Sequence, residues 1–175
     1  MTWIHTAAGR AVDLLDPQPD TICIEDICHA LDRICRYTGH CSERYSVAAH
    51  SLNVAAYCRE IGCDNVTYRA ALLHDATEAY LGDVASPLKA LLPEYKAIEA
   101  RFWTVIARKF GLPDPLPDMI KSADRVMLIS EAPALLPWPP PREWGDWFTV
   151  ESAWPRWNQH YVMGAFLREC ERVSV

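Results

Sequence analysis

The chain has 175 residues, half of them hydrophobic and 23% charged, and a formal net charge of −6. That balance belongs to one globular domain with a real core rather than to a disordered chain, and no apolar run reaches the roughly 18–20 residues of a membrane span. The arginines are dispersed on an acidic chain, so there is no basic stripe for a long nucleic acid, although a metal ion and a few aimed cations could still hold a small anion.

Residues 1–20 read as irregular, with turns at Pro17 and Pro19. The first residues have neither a basic flank nor an apolar stretch, so no signal peptide is expected and a cytoplasmic location is. A first helix is predicted over about 24–36, where Ile24, Ile27, Cys28, Leu31, Ile34 and Cys35 recur at three- and four-residue steps. The Arg36–Tyr45 stretch breaks it, with Gly39 near its end. Ser46 is placed to cap a second helix over about 47–61, closed by Gly62, and Asp64 a third over about 65–80, closed by Gly82.

A turn from Gly82 to Pro87 leads to a short helix and then a longer one over about 94–110, with Ile98, Phe102, Val105 and Ile106 as its buried stripe and Gly111 as its stop. Pro113, Pro115 and Pro117 make a stiff connector. A helix over about 118–131 carries Asp124 and ends before Pro133, and a last one over about 155–171 starts at Pro155. Between them lies a Pro/Trp-rich segment, 137–157, read either as a lid or subunit contact or as packing within the chain. The seven cysteines form no CxxC pair and read as buried free thiols. With no sustained period-two alternation, no internal repeat and no linker, the expectation is one all-α domain spanning 1–175, a bundle of about six to seven helices.

The chemistry concentrates at His74-Asp75-Ala-Thr-Glu78, which follows the apolar Ala70-Ala-Leu-Leu73. On one continuous helix the three- and four-residue spacings would set His74, Asp75 and Glu78 on neighbouring parts of one face. Burying such groups costs free energy that a bound cation can offset. Imidazole with carboxylate suits Zn²⁺, Mn²⁺, Fe²⁺ or Co²⁺ better than an all-oxygen site. His50, inside Val47-Ala-Ala-His-Ser-Leu-Asn-Val54, and Asp124, inside Ile120-Lys-Ser-Ala-Asp-Arg-Val-Met127, are further polar groups among apolar neighbours, and together they make a mixed N/O ligand set.

The ordered pattern of His50, the doublet His74-Asp75 and Asp124 resembles that of the HD-domain phosphohydrolases. The resemblance extends to Arg36-Tyr-Thr-Gly-His40, Arg44-Tyr-Ser-Val-Ala-Ala-His-Ser51, Ala71–Asp83 and Ser86-Pro-Leu-Lys89. It is strongest toward small bacterial and phage-type 5′-deoxynucleotidases and dATP triphosphohydrolases. It implies metal ligands at His50, His74, Asp75 and Asp124, and one divalent ion (Zn, Co, Mn, Fe or Mg). It implies a water-handling glutamate at Glu78 and a sugar-contacting aspartate at Asp83. Phosphate would be held by Arg36, with Arg44 in reserve and Lys89 as a weaker contact, and Tyr37, His40 and Pro87 would lie near base and sugar. The implied activity is hydrolysis of a (deoxy)nucleotide phosphate ester by a homo-oligomer, a dimer or hexamer. The rival readings are a phosphodiesterase on cyclic or short oligonucleotides and a non-catalytic nucleotide-binding module.

Overall fold

The computed structural model describes residues 2–138 and 161–172. It opens with a short antiparallel hairpin, β1 (Trp3–His5) and β2 (Ala11–Asp13), in which Ile4 faces Val12. This corrects the expectation of irregular chain there. Three-residue strands are too short to display an alternation in sequence, and Gly9, at φ +75, supplies the turn between them. Eight α-helices follow among the described residues: α1 (Ile24–Arg33), α2 (Val47–Glu60), α3 (Asn65–Leu72), α4 (Glu78–Leu81), α5 (Ser86–Ala90), α6 (Pro93–Phe110), α7 (Asp118–Leu135) and α8 (Val162–Arg172). None is long and apolar enough to cross a membrane.

α2 is the axis of the bundle, packed against α1, α3, α7 and α8. Its sequence explains that position. Val47, Ala48, Ala49, Ser51, Val54 and Ala55 are small and buried, and they let neighbouring helices approach on every side. The capping predictions hold at both tested sites: Ser46 Oγ accepts from Ala49 N–H at 3.2 Å, and Asp64 Oδ1 accepts from Thr67 N–H at 2.7 Å. Gly111, at φ +63, ends α6 in the left-handed cap expected of it.

Two helix ends differ from expectation. The segment expected to run as one helix over 65–80 breaks after Leu72, and residues 73–77 form a tight turn before α4. Through it and into the start of α4, Ala76, Glu78 and Tyr80 donate to carbonyls three residues back rather than four. The Ala71 carbonyl, which Asp75 N–H would otherwise occupy, receives His74 Nδ1 at 2.8 Å instead. At the other end, α7 continues through Pro133 to Leu135. A proline in the final turn forfeits one backbone bond, and the Leu135 carbonyl is capped from outside by the N–H and hydroxyl of Ser42 at 2.7 and 3.0 Å. α8 agrees with the expected last helix over its described part, whereas Pro155 and Trp144, Trp147, Trp154 and Trp157 lie outside the described residues.

The hairpin is fastened to α1 by Asp26, which is 4% exposed and accepts from Ala8 N–H at 2.7 Å and from the Cys23 thiol at 3.1 Å. Burial opposes its charge, but hydrogen bonds from Thr6, Cys23 and Ala8 outweigh it and hold the carboxyl below its ordinary range. Asp26→Ala should therefore cost about 1–3 kcal/mol in urea unfolding near neutral pH. Because the folded pKa is depressed, that stabilisation is complete above the ordinary carboxylate range and is lost as pH falls through the folded value. The gap between wild type and variant should close in acid.

Candidate metal centre

Four side chains from three parts of the chain converge beside α2. His50, mid-way along α2, has no exposed side-chain surface. Its Nε2 lies 2.9 Å from Asp124 Oδ1 of α7 and 3.9 Å from Asp75 Oδ2. His74 Nε2 lies 3.2 Å from that same Asp75 oxygen. One ligand atom each from His50, His74 and Asp124 falls within 4.8 Å of the others. The two imidazole rings sit 5.4 Å apart, tilted by 57°. His50 and Asp124 stand on helices as expected, whereas His74 and Asp75 occupy the turn between α3 and α4. Successive side chains on an α-helix diverge by about 100°. In that turn the two side chains nevertheless meet, His74 Nε2 and Asp75 Oδ2 lying 3.2 Å apart beside His50.

Each ring is oriented from behind. His74 Nδ1 donates to the Ala71 carbonyl at 2.8 Å. His50 Nδ1 donates to Glu131, at 3.0 Å from both carboxylate oxygens. Both Nε2 atoms are thereby turned to the centre. His74 Nε2 is buried and, although close to Asp75, meets no partner with hydrogen-bond geometry. A buried nitrogen without a partner, facing carboxylates, fits a cation bound among these donors. The donor set of two imidazoles and two carboxylates suits Zn²⁺, Mn²⁺, Fe²⁺ or Co²⁺.

The charges agree. At His50, burial and Arg36 disfavour protonation, but Glu131 and Asp124 prevail and push its pKa up to about 9. Burial would raise Asp75, yet His74, His50 and Arg36 hold it well below the ordinary carboxylate range. Asp124, with 43% of its side chain exposed, forms the solvent-facing side of the centre, whereas His74 is 6% exposed. The cluster is thus closed on the histidine side and open where a ligand would enter.

Of the other residues named from sequence, Arg36 comes to the centre. A bridge between Cys35 and Ser46 lays its backbone beside the start of α2, with Arg36 N–H donating to the Tyr45 carbonyl at 2.9 Å. Its guanidinium lies 3.9 Å from Asp75 and 3.7 Å from Glu131, and its buried Nε has no hydrogen-bond partner. The following Tyr37 and Thr38 both sit at φ +54, a conformation that ordinary side chains rarely adopt. The Tyr37 hydroxyl is buried without a hydrogen-bond partner, and burial followed by Glu131 pushes it well above the ordinary phenol range.

Glu78 begins α4 at 6% exposure, and its Oε2 has no hydrogen-bond partner. Burial, then Asp75 and Asp83, pushes its pKa up to about 10. Asp83 follows Gly82, whose carbonyl accepts from the Tyr95 hydroxyl at 3.0 Å; burial raises its carboxyl against the pull of Arg36. Lys89 is paired with Glu99 of α6 at 2.7 Å. Arg44 is drawn away from the centre to the carboxylate and backbone carbonyl of Asp32, and His40 and Pro87 are exposed. Glu131 escaped the sequence reading. Its signal was a charge seven residues, two turns, beyond Asp124 on the same face of one apolar helix.

A helical bundle presenting this centre belongs to a class of metal-dependent phosphohydrolases. The chain is a member of the HD-domain family: residues 47–132 match the HD domain. It is 41% identical over 131 residues to the uncharacterized protein YfdR of Escherichia coli K12, covering 75% of this chain and 71% of that protein. It is also 41% identical over 126 residues to the uncharacterized protein RCAP_rcc00048 of Rhodobacter capsulatus, covering 69% of this chain and 64% of that one.

Chelation tests the centre directly. Protein stripped with a chelator should melt several degrees lower than protein with Zn²⁺ or Co²⁺ restored. Saturation at a hundred times the dissociation constant adds about 2.7 kcal/mol to the folded state.

Proposed function

We propose that this protein hydrolyses the phosphate ester of a (deoxy)nucleotide, as a 5′-deoxynucleotidase or a deoxynucleoside triphosphohydrolase. His50, His74, Asp75 and Asp124 would hold one divalent ion. The observation that carries the reading is the convergence of those four groups with the buried Arg36 guanidinium at their edge. When bound, the ion supplies Lewis acidity toward a phosphoryl oxygen and a water.

The protein's own groups divide the remaining work. Arg36 is permanently charged and lies beside Asp75 and Glu131, and it would meet a phosphate held at the centre. Burial, Asp75 and Asp83 favour the protonated form of Glu78. Beside a bound dication Glu78 would ionise, and it could then orient water or take its proton. Asp83, next to the Gly82 carbonyl that accepts from Tyr95, would accept from a sugar hydroxyl. Lys89, tied to Glu99, would have to leave that partner to meet a more distal phosphate. Self-association as a dimer or hexamer belongs to the same reading, and the exposed Leu91 and Trp138 would be candidates for a contact between copies.

Asp75→Ala should abolish turnover while leaving helical circular dichroism intact, and unchanged turnover would sink the metal reading. Glu78→Gln should lower kcat by roughly 10²–10⁴ with a much smaller change in metal content. Incubating the metal-loaded protein with mono- and triphosphate (deoxy)nucleotides and identifying the products separates the branches. Orthophosphate from monophosphates marks the nucleotidase and released triphosphate the triphosphohydrolase. Cleavage of cyclic or short oligonucleotides alone would replace both with a phosphodiesterase, and binding without turnover would leave a nucleotide-binding module.

A further inference from the structure

We infer that Glu131 is a positioning residue of the metal centre, fixing the His50 ring so that Nε2 is offered to the ion. The inference rests on the metal reading above and adds to it a residue outside the ligand set.

Glu131 sits two turns after Asp124 on α7 and is 5% exposed. A carboxylate at that depth is costly unless its lone pairs are filled, and here they are filled by donors that matter to the centre. The Tyr45 hydroxyl donates to Oε1 at 2.6 Å, and Asn53 Nδ2 donates to the Tyr45 oxygen at 2.7 Å. His50 Nδ1 lies 3.0 Å from both carboxylate oxygens. Arg36 Nε, 3.7 Å from Oε2, sets a permanent positive charge beside the carboxylate. An ionised carboxylate only accepts hydrogen bonds. Beside Glu131, His50 Nδ1 must therefore carry the proton, and its Nε2 is the nitrogen left to coordinate.

The two histidines are not supported alike. His74 Nδ1 meets a neutral backbone carbonyl, whereas His50 Nδ1 meets a charged carboxylate. A carboxylate partner makes the ring a stronger donor to the ion than a carbonyl does. α7 thus holds the centre twice: Asp124 from the open side, and Glu131 through His50 from the closed side. The Tyr45 and Asn53 links bring α2 and the segment before it into the same constraint.

The test is the affinity of the intact protein for Co²⁺, measured by competition with a chromophoric chelator, together with the visible spectrum of the bound ion. Glu131→Leu removes the acceptor and should weaken Co²⁺ binding about 10–100-fold. Glu131→Gln keeps a neutral carbonyl acceptor and should fall between that variant and wild type, rescuing part of the loss. Tyr45→Phe removes one donor to the carboxylate and should give a smaller loss in the same direction. A changed Co²⁺ spectrum in Glu131→Gln, with unaltered helical circular dichroism, separates ring positioning from loss of fold. Should Glu131→Leu fail to fold, Glu131→Gln and Tyr45→Phe decide alone. Wild-type affinity and spectrum in those variants would overturn the inference while leaving the metal site standing. Failure of wild type itself to bind Co²⁺ or Zn²⁺ would overturn both.

Discussion

The structure depends on one buried imidazole. His50 sits on the central helix with no solvent-exposed surface, and both of its ring nitrogens face carboxylates from α7: Asp124 at 2.9 Å and Glu131 at 3.0 Å. Such a group cannot simply be stored in a core, because each unpaired polar atom at that depth costs on the order of a few kcal/mol. The surrounding charges answer this requirement. Asp75, Asp124 and Glu131 are held ionised by His50, His74 and Arg36, and the positive groups are favoured by the same carboxylates. Breaking one member leaves the others unpaired, so the cluster is interdependent rather than a sum of contacts.

The architecture follows from giving that cluster walls. α2 can be buried on all sides because alanines, a serine and valines surround the histidine and keep the adjoining helices close. The Cys35–Ser46 bridge then delivers Arg36 along the start of the same helix. α7 passes opposite, long enough to present Asp124 and Glu131 two turns apart, and Ser42 secures its end. The tight turn after α3 completes the ring of donors.

The sequence disclosed most of this where the signal was local. Helical spacing located α1, α2, α6 and α7, and short polar residues before apolar runs located the Ser46 and Asp64 caps. The two strands were invisible because three residues carry too little pattern. The break after Leu72 was invisible for another reason. Ala71 to Tyr80 contains no glycine or proline, and it is His74's own ring bonding to the Ala71 carbonyl that competes with the helix. Sequence put Arg36 first for phosphate and kept Arg44 in reserve; Asp32 takes Arg44, and Arg36 lies beside Asp75 of the centre.

The sequence by itself singled out His50, His74, Asp75 and Asp124 as the proposed ligands, through polar groups standing alone in apolar surroundings and through the His-Asp doublet. What only the tertiary structure decided is which atom of each residue faces the centre. That depends on the partner behind each ring, Glu131 for His50 and the Ala71 carbonyl for His74. It also depends on the break after Leu72, which takes His74 and Asp75 out of α3 and into a turn. Residue spacing fixes which residues share a face; the direction of a lone pair is set by hydrogen bonds made across the fold.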